Sequence, residues 1–328
     1  MAAKRRIQKP ARKKSAPKKN KKLTLRQRIR LIMLVIALFC GGVVSLLHFT
    51  GIVPFEDISV LLGLSDKPAT RSDLEVHFID VGQGDCTLIM SQGEVMVIDS
   101  GDRDGSNRAV NYLRTQGVSR IDYLIATHPH ADHIGEMAEI IEGFEVENFI
   151  MPRVPDEYVP TTKTYEDMLL ALQAKGLKAT PAADSEFTLG CCEVQTYASP
   201  IDDSENLNDY SVVVRIVNGN NSFLITGDCE KAEEQELLNS GFDLRAKVLK
   251  AGHHGSYTSS SASLLDEVKP NYAVISCGKD NSYGHPNDDT VRRLSKYANE
   301  IYVTARDGDI VFISDGEGLS VKCSGESK

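Results

Sequence analysis

The segment from His128 to His133, with the sequence HPHADH, places three histidines and one aspartate within six residues. It follows an apolar stretch, residues 121–126, that predicts a buried strand, and it precedes apolar residues at helical spacing. Imidazole and carboxylate groups are ligands for Zn, Mn and Fe, and a strand that ends in a tight loop can direct His128 and His130 at one ion. Asp132 and His133, at the start of the helix, would then face a second position beside the first. The motif therefore predicts two divalent metal ions, an arrangement typical of hydrolases.

This HxHxDH motif resembles that of the metallo-β-lactamase-fold hydrolases. That family carries an aspartate at the end of an early strand, a metal-bridging aspartate after a later strand, and a late histidine after a further strand. The corresponding residues resemble Asp99, Asp228, and one of the adjacent pair His253 and His254.

Three further segments resemble the hydrolase domain of ComEC-type DNA-uptake proteins. They are FIDVGQGDC at residues 78–86, HHGS at 253–256 and YGHPN at 283–287. The resemblance extends over roughly residues 74–323 and preserves the order and spacing of the motifs. It implies an α/β fold, the αββα sandwich, in which two mixed β-sheets pack face to face with helices outside.

The resemblance also implies roles for the candidate ligands. The implied ligands are His128 and His130 for the first ion, Asp132 and His133 for the second, Asp228 as the bridge, and His254 as a further ligand of the second. His253 would be a neighbour that orients the ligand or donates a proton. The reverse assignment, with His253 as the ligand and His254 as its neighbour, stays open. His285, in a turn between Gly284 and Pro286, would act as a general acid or contact phosphate, unless it is a structural turn residue. Asp132 would count as catalytic because it binds the ion that activates water.

Other residues would support the ligands or complete their shell. Asp99 would accept an N–H from a ligating imidazole, with a strand-end turn as the alternative, and Asp85 would either support the site or cap a turn. Between residues 134 and 227 the chain contains no histidine, so the first ion lacks the third nitrogen that many members of the family supply. Asn208, Asp209 or a water would have to take that position. The resulting oxygen-rich shell shifts the expectation from Zn toward Mn, without excluding Zn.

Apolar runs and helical periodicities place these motifs on alternating elements. Predicted strands cover residues 74–80, 87–90, 95–99, 121–127, 211–217, 222–226, 246–250 and 272–276. Predicted helices cover residues 108–116, 132–142, 164–175, 231–238 and 289–298. Strands that occur in adjacent pairs and are then separated by helices favour the sandwich.

The N-terminal region differs in composition from the rest of the chain. The first 30 residues contain 14 Lys or Arg and no Asp or Glu, and the remainder contains 23 basic and 46 acidic residues. Residues 31–49 contain no Lys, Arg, Asp or Glu. At about 1.5 Å per residue, a helix of this length could cross a hydrocarbon core of roughly 30 Å. We therefore expect a basic cytoplasmic arm (1–30), one transmembrane helix (31–49), a juxtamembrane linker (50–73) and an extracytoplasmic hydrolase domain (74–328). A cleaved signal peptide and a buried helix are the alternatives for residues 31–49.

Three functions agree with these features. The first is a phosphodiesterase or nuclease outside the membrane, with single-stranded DNA as a candidate substrate and a DNA-uptake channel protein as a candidate partner. The second is hydrolysis of an envelope phosphoester, such as a phosphocholine or teichoic-acid ester, and the third is a metal-dependent binding module without turnover. The acidic body opposes tight binding of duplex DNA, which requires basic contacts. The nearest candidates for such contacts around the mouth of the site are Arg103, Arg108, Lys250 and Lys279.

Overall fold

The computed structural model describes residues 73–325. The predicted basic arm, the predicted transmembrane helix and residues 50–72 of the predicted linker lie outside the described residues. Within residues 73–325, no helix is long and apolar enough to cross a membrane.

The described strands form two mixed sheets of eight and seven strands. In chain order the strands are β1 Leu74–Phe78, β2 Thr87–Ser91, β3 Glu94–Ile98, β4 Arg120–Ile125, β5 Glu145–Met151, β6 Ala179–Pro181, β7 Ser185–Leu189, β8 Cys192–Tyr197, β9 Val213–Asn218, β10 Asn221–Ile225, β11 Val248–Lys250, β12 Tyr272–Ile275, β13 Glu300–Val303, β14 Ile310–Ser314 and β15 Leu319–Cys323. The first sheet has the order β15-β14-β1-β2-β3-β4-β5-β6, and the second has the order β13-β12-β11-β10-β9-β8-β7.

Helices connect the strands and cover the outer faces of both sheets. They are α1 Arg108–Thr115, α2 Ala131–Ile134, α3 Met137–Gly143, α4 Lys163–Lys175, α5 Lys231–Asn239, α6 Ala262–Val268, α7 Asp288–Leu294 and α8 Thr304–Asp307, with 3-10 helices at Leu207–Tyr210 and His253–Gly255.

The alternation of side chains along each strand builds separate layers of core. In β3, Val95 and Val97 pack with residues of α1, α3 and α4, whereas Met96 and Ile98 pack with residues of the second sheet. Successive strand residues point to opposite faces, so a strand that is apolar throughout is buried on both faces. A third cluster lies between the second sheet and helices α5 to α7. The predicted sandwich of two mixed sheets between helical layers is therefore confirmed.

The predicted helix at residues 132–142 is wrong in one respect, because it is divided into α2 and α3. The division lies at Gly135, whose N–H donates to the carbonyl oxygen of Gly101 at 2.8 Å. A Cβ atom at position 135 would lie 2.3 Å from that same oxygen, so this close approach of two loops requires glycine.

Candidate metal centre

The candidate ligands lie in loops that follow neighbouring parallel strands. Strand β3 pairs in parallel with β4 in the first sheet, and β10 pairs in parallel with β11 in the second. Asp99 and the HPHADH segment follow β3 and β4, whereas Asp228 and the two adjacent histidines follow β10 and β11. Because parallel strands end at the same edge of a sheet, these four loops meet at one end of the sandwich.

His128 and His130 present one nitrogen each to a common point. Nε2 of His128 lies 2.9 Å from Nδ1 of His130 and 3.9 Å from Oδ2 of Asp228. Burial, reinforced by the positive charge of His133, lowers the pKa of the His128 imidazole well below its usual value. A neutral imidazole is the form that binds a metal ion, so burial keeps this pair ready to act as ligands.

A second group of donor atoms also lies beside Asp228. Nε2 of His133 lies 3.2 Å from Oδ1 of Asp228. Nε2 of His254 lies 3.1 Å from Oδ2 of Asp132 and 3.6 Å from Oδ2 of Asp228. Oxygens of Asp228 thus lie within 3.9 Å of nitrogens of both groups, as those of a bridging ligand would.

The donor atoms fit a bound cation. Nε2 of His133 and Oδ1 of Asp228 are buried and, although they lie 3.2 Å apart, neither makes a hydrogen bond of good geometry within residues 73–325. Ligand atoms of Asp85, His133, Asp228 and His254 lie within 4.8 Å of one another. Buried polar atoms without partners are rare, and a divalent cation beside Asp228 would satisfy both Nε2 of His133 and Oδ1 of Asp228. Burial opposes the charge of His133, yet Asp228 and Asp99 raise its pKa well above the usual value, which shows how strongly the pocket favours positive charge.

Asp99 orients His133 from behind. Its Oδ2 lies 2.8 Å from Nδ1 of His133, and it also accepts hydrogen bonds from the backbone N–H and the hydroxyl of Thr127, both at 2.7 Å. A carboxylate accepts only, so Nδ1 of His133 carries the proton and Nε2 is left to face Asp228. This is the contact expected beside a ligating imidazole, and the ligand role of His133 itself stays a prediction.

Lys250 is buried, and the prediction that it contacts substrate at the surface is wrong. Its side chain is 1% exposed, and its Nζ lies 2.6 Å from Oδ2 of Asp85 and donates to the carbonyl oxygen of Ala251 at 2.9 Å. The other oxygen of Asp85 lies 3.3 Å from Nδ1 of His254. Burial opposes the charge of Asp85, but Lys250 and His254 together lower its pKa to about 2. Asp85 therefore lies behind His254 as an ionised carboxylate, rather than capping an exposed turn.

Main-chain contacts hold the ligand-bearing loops together. The N–H of Asp85 donates to the carbonyl oxygen of Asp132 at 3.1 Å, and the N–H of Gly101 donates to the carbonyl oxygen of Asp85 at 2.7 Å. Gly84 has a φ of +118°, and a Cβ atom there would lie 2.1 Å from the carbonyl oxygen of Asp132. Only glycine allows this approach, so the short glycine turn before Asp85 positions the metal-site loop directly.

Comparison with known proteins identifies the family. Residues 79–188 and 204–279 match the family model described as the metallo-beta-lactamase superfamily. The chain belongs to this superfamily. Its matched residues contain all the donor atoms of the two groups around Asp228, so the superfamily's metal-dependent hydrolase chemistry is associated with this site.

The curated relatives of this superfamily member include competence proteins. It is 28% identical over 273 residues to ComE operon protein 3 of Bacillus subtilis, covering 77% of this chain and 35% of the relative. It is 30% identical over 249 residues to Recombination protein 2 of Haemophilus influenzae, covering 74% and 29%. It is 28% identical over 286 residues to Competence protein ComA of Neisseria gonorrhoeae, covering 85% and 38%. The chain spans about a third of the length of these relatives, and the predicted resemblance to the ComEC type is confirmed.

The two adjacent histidines of this superfamily member have different environments. His254 is buried, and its Nδ1 donates to the backbone oxygen of Ser276 at 3.0 Å. His253 is a quarter exposed, and its Nδ1 lies 2.9 Å from Oε1 of Glu230. Both rings present Nε2 to Asp228, at 3.6 Å for His254 and 3.9 Å for His253. Sequence reasoning missed Glu230, because an acidic residue just before a helix is most often an exposed capping residue.

His285 lies beside these histidines at the mouth of the site. Its ring centroid is 5.5 Å from that of His253 and 6.1 Å from that of His254. Tyr283, which is 68% exposed, stacks on the outer side of His285 at 5.8 Å with an interplanar angle of 21°. Nδ1 of His285 is buried and has no hydrogen-bond partner in the described part of the chain. An aromatic surface therefore extends from the metal ligands to the solvent.

Of Asn208 and Asp209, the residues expected to complete the first ion's shell, only Asn208 contacts one of that ion's predicted ligands. Asn208 is buried and lies beside His130. Asp209 instead accepts a hydrogen bond from the Ser204 hydroxyl at 2.6 Å, so its carboxylate is directed away.

The other basic residues near the mouth are mostly paired with carboxylates. Arg103 forms ion pairs with Glu139 at 2.8 Å and Asp167 at 2.7 Å. Arg108 lies 3.7 Å from Asp104, and Lys279 is exposed. These pairings reduce the positive charge that is available to a polyanion.

Proposed function

We propose that this chain is a membrane-anchored, extracytoplasmic phosphodiesterase or nuclease that uses two divalent metal ions, Zn or Mn, in the processing of DNA during uptake. The observation that carries the proposal is the Asp228 carboxylate, with nitrogens of four histidines placed 3.2 to 3.9 Å from its oxygens. Two donor groups that share one carboxylate suit the in-line displacement at phosphorus that paired metal ions catalyse. The similarity to competence proteins supports DNA as the substrate.

Two bound ions would supply activated water near neutral pH and neutralise charge on the phosphoryl group. The residues of the chain set the geometry for this chemistry. Asp99 fixes the tautomer of His133, and Asp85, held by Lys250, lies behind His254. His285, at the mouth, is placed to contact a phosphate oxygen or the leaving group.

The surface around the site supports a single-stranded substrate over a duplex. Duplex binding depends on many Lys and Arg contacts to phosphate, and Arg103 and Arg108 are engaged by carboxylates. Single strands gain affinity when bases stack on exposed aromatic rings. Tyr283, stacked on His285, offers such a ring beside the metal ligands.

Hydrolysis of a small envelope phosphoester is the second candidate. The shortage of unpaired basic residues at the mouth favours it, because a phosphocholine-type ester needs few phosphate contacts.

Rates on four substrates would decide between these functions. Full-length protein in detergent, loaded with Mn or Zn, would be assayed on bis-(p-nitrophenyl) phosphate, p-nitrophenyl-phosphocholine, and single- and double-stranded DNA. We expect the highest kcat/KM on single-stranded DNA. A far higher value on the phosphocholine ester than on any oligonucleotide would replace the nuclease proposal with the second candidate, and no turnover of any phosphoester would reject both.

A further inference from the structure

The side chain of His253 repeats the arrangement of the two buried histidines beside Asp228. In all three histidines an oxygen atom holds Nδ1. The oxygen is Oδ2 of Asp99 for His133, the backbone oxygen of Ser276 for His254, and Oε1 of Glu230 for His253. In all three, Nε2 faces the Asp228 carboxylate, at 3.2, 3.6 and 3.9 Å. We propose that His253 is a ligand of the first metal ion through Nε2 and supplies the third nitrogen, with Glu230 as its positioning residue. The inference rests on the two-metal site of the proposed function.

Glu230 determines which nitrogen of His253 is free. Its Oε1 accepts from Nδ1 of His253 and from the hydroxyl of Thr258, and its Oε2 accepts from the side-chain amide of Asn206 at 2.7 Å. Three donors around one carboxylate leave Glu230 as acceptor only, so Nδ1 of His253 carries the proton. Nε2 is then the nitrogen of His253 that is left to bind an ion beside Asp228.

Glu230 connects His253 with the loop that carries Asn208. Asn206 precedes the 3-10 helix that carries Asn208, and Asn208 lies beside His130. His130 and His128 are the two predicted ligands of the first ion, and Nε2 of His128 lies 3.9 Å from the same Asp228 oxygen, Oδ2, that Nε2 of His253 approaches. Nε2 of His254 also approaches this oxygen, but it lies 3.1 Å from Oδ2 of Asp132, a predicted ligand of the second ion. Two atoms bound to one ion at about 2.1 Å each lie at most about 4.2 Å apart, so both distances allow a shared ion.

The backbone supports a functional reason for this geometry. His253 and His254 have φ values of 49° and 52°, so two successive non-glycine residues adopt the left-handed conformation. Each such residue is strained, and strain of this kind persists where the surrounding structure imposes it. Here the turn brings two consecutive imidazoles to one carboxylate, which an extended backbone would direct to opposite sides.

Metal stoichiometry tests the inference without relying on turnover. Full-length wild-type protein and the variants His253→Ala and Glu230→Gln would be stripped with chelator and titrated with Mn or Zn by calorimetry, with bound metal counted by elemental analysis. We expect two ions in the wild type. Glu230→Gln should weaken one of them by roughly 10- to 100-fold, and His253→Ala should weaken the same ion by at least as much, leaving the other unchanged.

His285→Ala is the matched control, because it removes a neighbouring imidazole that has no carboxylate contact in the described residues; it should retain both ions. His253→Gln and a thermal melt of each variant would separate loss of a ligand from loss of the fold. Two ions bound with unchanged affinity in folded His253→Ala or His253→Gln would overturn the inference. The proposed function would be rejected and the inference would stand if the wild type bound two ions, the variants showed the expected losses, and no phosphodiester were cleaved. One ion in the wild type would overturn both.

Discussion

The ammonium group of Lys250 lies 2.6 Å from the carboxylate of Asp85, and both side chains are almost completely buried behind the candidate metal ligands. Removal of one member of a buried ion pair leaves an uncompensated charge in a medium that solvates it poorly. Asp85 in turn contacts His254, so the pair connects the stability of the fold with the geometry of the site.

Lys250→Met should lower the free energy of unfolding by about 3 to 5 kcal/mol, because Asp85 keeps its buried charge and loses its lysine partner. Chemical denaturation of the metal-free protein would measure this loss. Adding Asp85→Asn should restore part of it. Lys247→Met, just before the same strand, removes a lysine whose partner is the neutral Asn221 and should cost much less. Equal effects of the two lysine substitutions would contradict the role of the ion pair.

Asp132→Ala should lower bound metal and reduce kcat by several orders of magnitude, because it removes a predicted ligand to the ion that activates water. Elemental analysis and steady-state rates would measure both effects. Asp202→Ala, at an exposed carboxylate, is the control. Full activity of the Asp132→Ala protein after metal depletion would reject the two-metal mechanism.

Glu233→Gln should stabilise the protein at pH 8 more than at pH 5. Glu233 is fully buried, and burial, followed by the nearby negative charges of Asp209 and Glu234, raises its pKa well above the usual value. The folded state then holds a proton that the unfolded state has released, so the stability falls as pH rises above the unfolded pKa of about 4.3. The glutamine side chain does not titrate, so Glu233→Gln removes this dependence of stability on pH. A midpoint rise of at least about 2 °C at pH 8 is expected by calorimetry, and a larger rise at pH 5 would contradict the assignment.

Tyr283→Ala should raise KM for single-stranded DNA by roughly 5- to 150-fold, which corresponds to the loss of about 1 to 3 kcal/mol of base stacking. An oligonucleotide of equal length without bases cannot stack and should show a much smaller change. Tyr283→Phe keeps the ring and should retain most of the affinity. Equal losses on the two substrates would show that Tyr283 does not bind bases.

Protease added to intact cells should remove the hydrolase domain and spare the basic arm, because 14 positive charges precede the uncharged residues 31–49. Immunoblots against residues 1–30 and against the domain would follow the two parts. A domain that is digested only after lysis would reverse the predicted orientation.

The layered fold could be predicted because its central strands are continuous apolar runs. The predicted strands near β3, β4, β10 and β11 match observed strands, since each is buried on both faces. Strands β5 and β7 were missed because exposed polar residues interrupt their apolar pattern, for example Glu145, Glu147 and Glu186. Such strands are defined by pairing with a neighbour, which a local pattern does not contain.

The candidate ligands could be found because histidine and aspartate at such short spacing seldom occur together outside metal sites. The contacts behind them could not be found in the same way. Lys250 ends an otherwise apolar strand, and only the position of Asp85, far away in sequence, makes its burial possible. Glu230 acquires its role through His253 and Asn206, which belong to two other loops.

The glycine contacts between the ligand-bearing loops have a consequence for metal binding. Because the carbonyl oxygen of Asp132 meets the backbone at Gly84 and that of Gly101 meets Gly135, the spacing of the loops that carry Asp85, Asp99 and Asp132 is set by the main chain. Such a frame is preorganised, so little binding energy is lost in ordering loops when ions arrive. Discrimination between ions of different radius then depends on how well each fits a spacing that the side chains alone cannot adjust.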